Sequence, residues 1–391
     1  MDRAFSTFKF IIISSRNYIY AILSVGVFSF TLHAAPLLPS DRDAIQQQQQ
    51  QLLLQNQQQR DELERSILLP APTPAKPVSS GSGPCFRIDN ITLSGVTLIS
   101  AKAQHTLVSP WEGQCLNMAK ITELTTAISD WYISRGYITS RAFLTEQDLS
   151  SGELNIVVLE GKLAEIRLDG KTPLMLKMAF PGLKGRVLNL RDIEQGMEQI
   201  NRLRVQPVQI EIIPASQPGY SVVNLTAQPE FPLSASISLD NSGQKSTGEE
   251  QLNGSLTGNN MLGIADKWFV SGGRSSDFAR AYDAQNFQAG VSVPFGYGLL
   301  DYSYAWSNYR TTIDNVGYPW ISRGDTKTHR LNASWVVYRN GDVKTGLAAG
   351  VVQRSSRNWL NDAPLQSSTR NLSSLILGIT HTQKMAGGVA T

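Results

Sequence analysis

Between residues 231 and 385 the chain repeats short segments in which apolar and polar side chains alternate, with turn residues between the segments. One segment has apolar residues at Leu233, Ala235, Ile237 and Leu239, with a serine between each pair. Successive strand side chains point to opposite faces, so each segment has one apolar and one polar face. A soluble β-sandwich produces the same pattern. Long strands and aromatic residues in an exported chain favour a transmembrane barrel.

The alternation predicts eight strands, at residues 233–240, 252–259, 267–273, 286–294, 299–309, 328–338, 342–354 and 371–382. Asn340-Gly341 predicts a tight hairpin. Residues 311–326 are expected to form a long loop, because outer-membrane barrels combine short periplasmic turns with longer outer loops. In such a barrel the polar face would line the lumen with side chains that include Ser236, Ser238, Ser292, Ser303 and Asn332.

Residues 1–34 have the pattern of a secretory signal peptide. Arg3, Lys9 and Arg16 precede an apolar stretch that ends at His33-Ala34-Ala35, and the alternative is a membrane anchor. No later run approaches the roughly 20 apolar residues that a spanning helix needs. A mature protein in the membrane would therefore cross it as strands.

The two cysteines, Cys85 and Cys115, suit an oxidising compartment. Two cysteines allow a single pairing, and closing that loop would contribute about 3–4 kcal/mol by the chain-entropy argument. The alternative is a pair of buried free thiols. Neither a CxxC spacing nor a histidine cluster accompanies them, so we predict no metal site and no cofactor.

Charge and motif content argue against two functional classes. Lys and Arg total 35 against 32 Asp and Glu, a balance too even to indicate a nucleic-acid surface. The sequence contains no GxSxG, HExxH or Walker-type motif, and its four histidines are isolated. We therefore predict that the protein is not an enzyme.

Two further segments precede the regular part of the chain. Residues 35–69 contain a tract from 46 to 59 in which every residue is Gln or Asn except three leucines, which predicts a polar helix suited to a polar cavity. The alternative is a solvated low-complexity tract. Residues 70–84 are rich in Pro, Ser and Gly and are predicted to be an extended linker.

Residues 85–161 and 162–229 follow one plan, β-α-α-β-β, which indicates α+β architecture. The first unit has predicted strands at 86–93, 138–144 and 154–159 and helices at 100–107 and 117–135. The second has predicted strands at 163–168, 208–213 and 220–227 and helices at 173–179 and 190–203. The longer helices would bury Ile121, Leu124, Ile128 and Trp131 or Tyr132, and Leu190, Ile193, Met197, Ile200 and Leu203, respectively. Asn189 or Asp192 would cap the second of these helices.

Several strings of residues resemble one protein family. They are Gly136-Tyr137-Ile138-Thr139-Ser140-Arg141-Ala142, Gln147-Asp148-Leu149-Ser150 with Gly152-Glu153-Leu154, Leu188-Asn189-Leu190-Arg191-Asp192-Ile193-Glu194-Gln195-Gly196, Asp240-Asn241-Ser242-Gly243, Thr247-Gly248 and Val293-Pro294-Phe295-Gly296-Tyr297. In this order, over nearly the whole chain, they are similar to TpsB outer-membrane transporters of two-partner secretion. That family exports filamentous haemagglutinins, haemolysins and contact-dependent inhibition toxins.

The resemblance implies α+β POTRA repeats followed by an all-β transmembrane barrel. It implies a plug helix at 35–69, POTRA domains at 85–161 and 162–229, and a barrel of roughly sixteen strands that starts at residue 230. The chain stops after about half of these strands and lacks the family's later Arg-Gly-Tyr or Arg-Gly-Phe loop motif and a terminal aromatic residue. We therefore expect residues 230–391 to be a partial barrel and the chain to be truncated.

The function that the resemblance implies is export of a large TpsA-like exoprotein from the periplasm to the cell surface. Outer-membrane lipid and the barrel assembly machinery are the other expected partners, with the POTRA domains in the periplasm. An unfolded exoprotein would add to an exposed sheet edge, and we place Val208, Ile210 and Ile212 at that contact; the alternative is that they are core residues. The alternative functions are a general barrel-inserting protein and a non-transporting scaffold.

Overall fold

The computed structural model describes residues 85–390, apart from 244, 277–280, 316, 386 and 387. The predicted signal peptide at 1–34, the helix at 35–69 and the linker at 70–84 lie outside the described residues. No helix in the described part of the chain has both the length and the apolar character needed to cross a membrane.

The first unit contains two small sheets and two helices. Its elements are β1 (Phe86–Ile88), β2 (Asn90–Ser94), α1 (Ala101–Val108), β3 (Gln114–Leu116), α2 (Met118–Ser134), β4 (Arg141–Leu144), a 3-10 turn (Leu149–Ser151) and β5 (Glu153–Leu159). β1 pairs with β3, and the other sheet has the order β2-β5-β4. The predicted first strand is divided in two, because the amides of Asp89 and Asn90 both donate to the carbonyl of Gly152.

The long helix α2 buries the predicted face. Ile121, Leu124 and Ile128 are buried, and of the two aromatic candidates Tyr132 is the fully buried one. Asn117 accepts a hydrogen bond from the Lys120 amide and caps the helix. Gly136 follows the helix with φ +90°, a conformation that favours glycine.

A buried carboxylate ties α2 to the rest of the first unit. Glu160 accepts hydrogen bonds from the Thr97 and Leu98 amides at 2.8 and 2.9 Å, from the Thr97 hydroxyl and from the Tyr132 hydroxyl at 2.7 Å. Burial acts to raise the pKa of Glu160, but these bonds outweigh it and hold the pKa below the ordinary value. Burial and the bond to Glu160 raise the pKa of Tyr132, so its hydroxyl stays protonated and donates.

A disulfide joins the start of the first unit to β3. The Cα atoms of Cys85 and Cys115 are 5.4 Å apart, and the bond closes a separation of 30 residues that contains β1, β2 and α1. The short strand β3 was not predicted, since three residues carry no readable alternation.

The second unit packs two helices on one sheet. Its elements are β6 (Lys162–Leu168), α3 (Leu174–Ala179), α4 (Leu190–Asn201), β7 (Gln209–Pro214) and β8 (Tyr220–Thr226). The sheet order is β6-β8-β7, with β6 parallel and β7 antiparallel to β8. The predicted apolar face of α4 is confirmed, because all five of its residues are buried in one cluster or beside it: Leu190, Ile193, Met197, Ile200 and Leu203.

The third part is one large antiparallel sheet. Its long strands are β9 (Leu233–Asp240), β10 (Glu250–Asn259), β11 (Lys267–Ser276), β12 (Asp283–Phe295), β13 (Gly298–Asn315), β14 (Tyr318–Arg339), β15 (Val343–Leu360) and β17 (Arg370–Met385), with short strands β16 (Ala363–Pro364) and β18 (Gly388–Ala390) and a 3-10 turn (Gln366–Ser368). Each long strand pairs with its neighbour along the chain. All eight predicted strands are confirmed in existence and order.

The strand registers separate an apolar face from a polar face. One row across the sheet reads Ala235, Leu256, Val270, Ala289 and Tyr304, and the adjacent row reads Ser236, Ser255, Ser271, Gln288 and Ala305. Ser238, Ser292, Ser303 and Asn332 share the second face by strand alternation. The apolar face is the one that suits hydrocarbon.

The predicted long loop at residues 311–326 is wrong. β13 and β14 pair continuously from Gly298 opposite Trp335 to Asn315 opposite Tyr318. The extension escaped prediction because its few apolar residues do not alternate regularly along either strand; Ile313 lies opposite Trp320, but Arg310 and Arg323 also lie opposite each other. The regular alternation therefore ends before the strands do.

Replacing Glu160 with Gln should destabilise the first unit by about 1–3 kcal/mol, because the charge-assisted bonds from four donor groups are weakened. Since the folded pKa is depressed, the wild-type contribution is complete above the ordinary pKa of 4.5 and is lost as the pH falls through the lower folded value. Amide hydrogen exchange in α2 of the whole chain, followed from neutral to acidic pH, measures this. Equal protection of both proteins at neutral pH would contradict it.

Replacing both Cys85 and Cys115 with Ser should lower the opening free energy of the first unit by about 3–4 kcal/mol, because the unfolded segment regains loop entropy. Exchange of the α2 amides reports this opening, with the amides of α4 in the second unit as the internal control. An unchanged α2 would show that the disulfide does not constrain the domain.

Candidate functional site

Three strand turns of the large sheet meet the second unit. They are residues 260–266, 296–297 and 340–342, the last of these with the flanking strand ends at Arg339 and Lys344, and we call this contact the junction. The Gly296 amide donates to the carbonyl of Met178 at 2.8 Å, and the Gln199 side chain donates to the carbonyl of Gly296 at 3.2 Å. Ala265, in the first turn, is fully buried in the core cluster of the second unit. The end of the sheet is thus part of the core of the neighbouring domain.

A buried arginine at the end of β14 reaches α4. The Arg339 guanidinium lies 3.3 Å from Glu194, 2.8 Å from Glu198 and 3.0 Å from the amide oxygen of Gln195. The side chains of Arg339 and Glu194 are only 3% and 1% exposed. Two carboxylates and an amide therefore surround one cation that has almost no contact with solvent.

Two partly exposed cations complete this ionic network. Arg191 pairs with Glu194 at 2.6 Å from the same helix, and Lys344 of β15 pairs with Glu198. Glu194 and Glu198 each bridge two cations, so removal of one cation leaves a carboxylate with one partner. Because two of these cations come from the sheet, the network links the domain to the sheet rather than stabilising α4 alone.

A second contact lies at the start of α4. The hydroxyl of Tyr297 donates to the carboxylate of Asp192 at 2.6 Å. Burial, the bond to Asp192 and its negative charge raise the pKa of Tyr297, while Arg339 acts in the opposite direction. The hydroxyl stays protonated. The helix is capped by Asn189, whose side chain accepts from the Arg191 amide at 2.8 Å, so Asp192 is available for this contact.

A further contact at the junction, made by the residue that follows α4, reaches the polar face of the sheet. Arg202 donates to the hydroxyl of Ser292, which lies on the polar face of β12, and to the carbonyl of Ala265 at 2.6 Å. A cation from the second unit therefore lies at the edge of the polar face.

The start of α4 also contacts the first unit. The Leu190 amide donates to the carbonyl of Gly136 at 2.8 Å, and the Asn189 side chain donates to the carbonyl of Arg135 at 3.4 Å. A Cβ atom at Gly136 would lie 2.6 Å from the Asn189 side-chain oxygen, so the close approach requires glycine there. One helix thus contacts both units and the sheet.

The predicted substrate residues lie on or beside β7. Val208 is buried in the core cluster, and Ile210 and Ile212 are partly buried against it, so their side chains pack as core residues. The backbone of β7 is a different case, because β7 is an edge of its sheet in the described part of the chain. The Ala215 amide donates to Tyr220, and alternation then directs the N–H and C=O of Ile210 and Ile212 away from β8.

The sequence analysis did not identify the ionic residues of the junction. Glu194 and Gln195 lie in the family-like string from Leu188 to Gly196, and both are buried despite their polarity. The only sequence feature that pointed to them was this pair of adjacent polar residues beside the apolar positions of a buried helix. The partner, Arg339, is too distant in sequence for any local pattern to indicate it.

Comparison with known proteins matches all three parts of the chain. The profile of the haemolysin secretion/activation protein family ShlB/FhaC/HecB matches residues 219–391. The profile of the ShlB-type POTRA domain matches residues 86–161, and a second POTRA profile matches residues 162–214.

Individual relatives agree with these profiles. The chain is 58% identical to the outer membrane transporter CdiB of Escherichia coli over 96% of its length and 64% of that protein. It is 47% identical to CdiB of Dickeya dadantii over 97% of its length and 68% of that protein. The solved structure of CdiB from Escherichia coli matches with a TM-score of 0.83 at 58% identity, covering 91% of this chain and 66% of that one.

The chain therefore spans about two thirds of the length of these relatives, and the shared part runs from the POTRA units into the β-sheet. Sequence profiles, overall identity and three-dimensional similarity all point to the same group. The chain belongs to the ShlB/FhaC/HecB family, the outer-membrane transporters of two-partner secretion.

Proposed function

We propose that this protein exports a large secreted partner protein, of the haemolysin, adhesin or contact-dependent inhibition toxin type, from the periplasm to the cell surface. The observation that carries the proposal is the junction, where α4 holds the POTRA units against one end of a sheet with a polar face. A domain held there can pass a captured chain directly to that face. The proposal requires no catalysis, no cofactor and no nucleic acid.

The proposed domains are those predicted from the sequence, with POTRA units at 85–161 and 162–229 and the partial barrel from residue 230. The exoprotein is bound unfolded in the periplasm, and the barrel assembly machinery inserts the strands into lipid. Membership of the transporter family supports this arrangement. The apolar rows of the sheet then face lipid, and the serine-rich rows face the moving chain.

We propose the β7 edge as the capture site, through its backbone. The outward N–H and C=O groups of Ile210 and Ile212 can pair with an extended segment by strand addition. The edge strand β4 of the first unit, which lies within the predicted strand at 138–144, is the second candidate. Val208 would contribute by supporting the strand from the core.

The export function is tested by co-expressing this chain with a large exoprotein of the haemolysin or contact-dependent inhibition toxin type and measuring protease-accessible exoprotein on intact cells. We expect surface exposure that depends on the chain. Exoprotein that reaches the surface equally well without the chain, or remains periplasmic with a correctly inserted chain, would contradict the proposal.

Replacing Arg339 with Ala should abolish most of the export while the sheet still inserts. Breaking a buried ion pair costs about 3–5 kcal/mol, because Glu194 is left buried with only Arg191. The readouts are surface exoprotein and heat-modifiable electrophoretic migration. The matched control is Arg323→Ala, which removes an exposed pair with Asp362 and should leave export unchanged. Normal export by the Arg339 variant would show that the junction is dispensable.

Replacing Ile210 or Ile212 with Pro should weaken exoprotein capture about two- to tenfold, the equivalent of one lost hydrogen bond. Proline removes an N–H that points outward, and edge strands tolerate it because the bonds to β8 remain. A pull-down of the exoprotein by the whole chain measures the effect. Ile212→Val keeps the N–H and is the control. Undiminished capture by both proline variants would exclude this edge.

A further inference from the structure

Two strongly exposed apolar side chains lie at the foot of the second unit. Val205, between α4 and β7, is 78% exposed, and Phe231, just before β9, is 79% exposed. Exposed apolar side chains that form a contiguous patch commonly mark a surface for a partner or a membrane, whereas single ones are normal. Neither residue takes part in the junction or in the β7 edge.

A carboxylate holds these two residues beside each other. Glu230, adjacent to Phe231, accepts hydrogen bonds from the amides of Val205 and Gln206 at 3.1 and 2.9 Å. Arg204 lies 3.7 Å from the same carboxylate and donates to the carbonyl of Gln228. These contacts hold the loop between α4 and β7 against the segment that leads into β9. The exposed position of Val205 is therefore fixed by the fold.

The apolar surface continues onto the sheet. Phe231 lies two residues before Leu233, the first residue of β9, and the Asn259 amide donates to the carbonyl of Pro232 at 2.8 Å, so the pairing with β10 continues to the residue beside Phe231. A Cβ atom at Gly258, opposite Leu233, would lie 2.9 Å from Met261, which shows that Met261 folds over the same face. We call this surface the rim patch; its residues are Val205, Phe231, Leu233, Met261, Leu262 and Trp268.

The chemistry of the rim patch fits the boundary between acyl chains and headgroups. Trp268 lies opposite Gly258 on the apolar face and donates its indole N–H to the buried carboxylate of Asp266. An aromatic ring with an apolar body and a satisfied polar edge is typical of membrane interfaces. Leu262, in the turn between β10 and β11, is 63% exposed.

We propose that the rim patch docks on the periplasmic leaflet of the outer membrane and that Val205 carries the second POTRA unit into contact with glycerophospholipid. The turn at 260–266 belongs to the junction, so the patch lies at the periplasmic end of the strands. A polypeptide in transit is the other candidate occupant. The observations favour lipid because the patch continues the apolar face, whereas the moving chain would follow the polar face. The inference does not depend on which protein is exported.

Both cysteines of the chain form the disulfide, so Val205→Cys introduces a unique thiol for an environment-sensitive NBD fluorophore. The whole chain is folded into vesicles of phosphatidylethanolamine and phosphatidylglycerol that contain a phospholipid with a doxyl quencher near the headgroup, without exoprotein. The control is Ser216→Cys, an exposed position at the opposite end of β7 and about 20 Å along the strand. Heat-modifiable migration verifies insertion of both variants.

We expect several-fold stronger quenching at position 205 than at position 216. Adding Glu230→Gln to the Val205→Cys variant should reduce the difference in quenching between the two positions, because the hydrogen bonds from the loop amides to residue 230 weaken. Equal quenching of the two inserted variants would overturn the proposal. Protection of position 205 that appears only when an exoprotein is added would also overturn it and would assign the patch to the moving chain. Loss of export with quenching intact would count against the proposed function alone.

Discussion

The arrangement of this protein depends on the two faces of a single helix, α4. Its apolar residues fill the core of the second POTRA unit, while Asp192, Glu194 and Glu198 face turns of the large sheet. Its first turn contacts the first unit through Leu190. A twelve-residue helix is a rigid rod about 18 Å long. Both periplasmic units and the sheet are therefore positioned by one element.

The buried ionic network favours specificity of docking over stability. Removing charges from water costs several kcal/mol per ion, and a mutual attraction offsets this only when the geometry is good and the remaining atoms are hydrogen-bonded. Arg339 meets that condition with three partners in one place. A shifted docking pose would leave Glu194 buried without its sheet partner. An apolar contact of the same area would tolerate such a shift, because hydrophobic burial has no direction.

Sequence periodicity predicted the strands and helix faces whose burial follows from the spacing of nearby residues. It failed where residues distant in sequence decide which side chains are buried. The eight strands and the buried face of α4 follow from alternation and helical spacing, which report the face that each side chain takes. The extension of β13 and β14 has only scattered apolar residues, such as Ile313 opposite Trp320, so no regular alternation marks it. No sequence pattern indicated that the charges of α4 are buried, because their partners Arg339 and Lys344 lie at strand ends much later in the chain.

The ionic junction and the rim patch constrain the second unit in different ways. Ion pairs at α4 fix its position on the ends of β14 and β15. A contact of Val205 with lipid would fix a second point, on the loop after α4, and Glu230 links this loop to the segment that enters β9. β7 begins directly after this loop, at Gln209. With one end of the strand held near the bilayer surface, its open edge would run away from the membrane, which is the direction from which a periplasmic chain arrives.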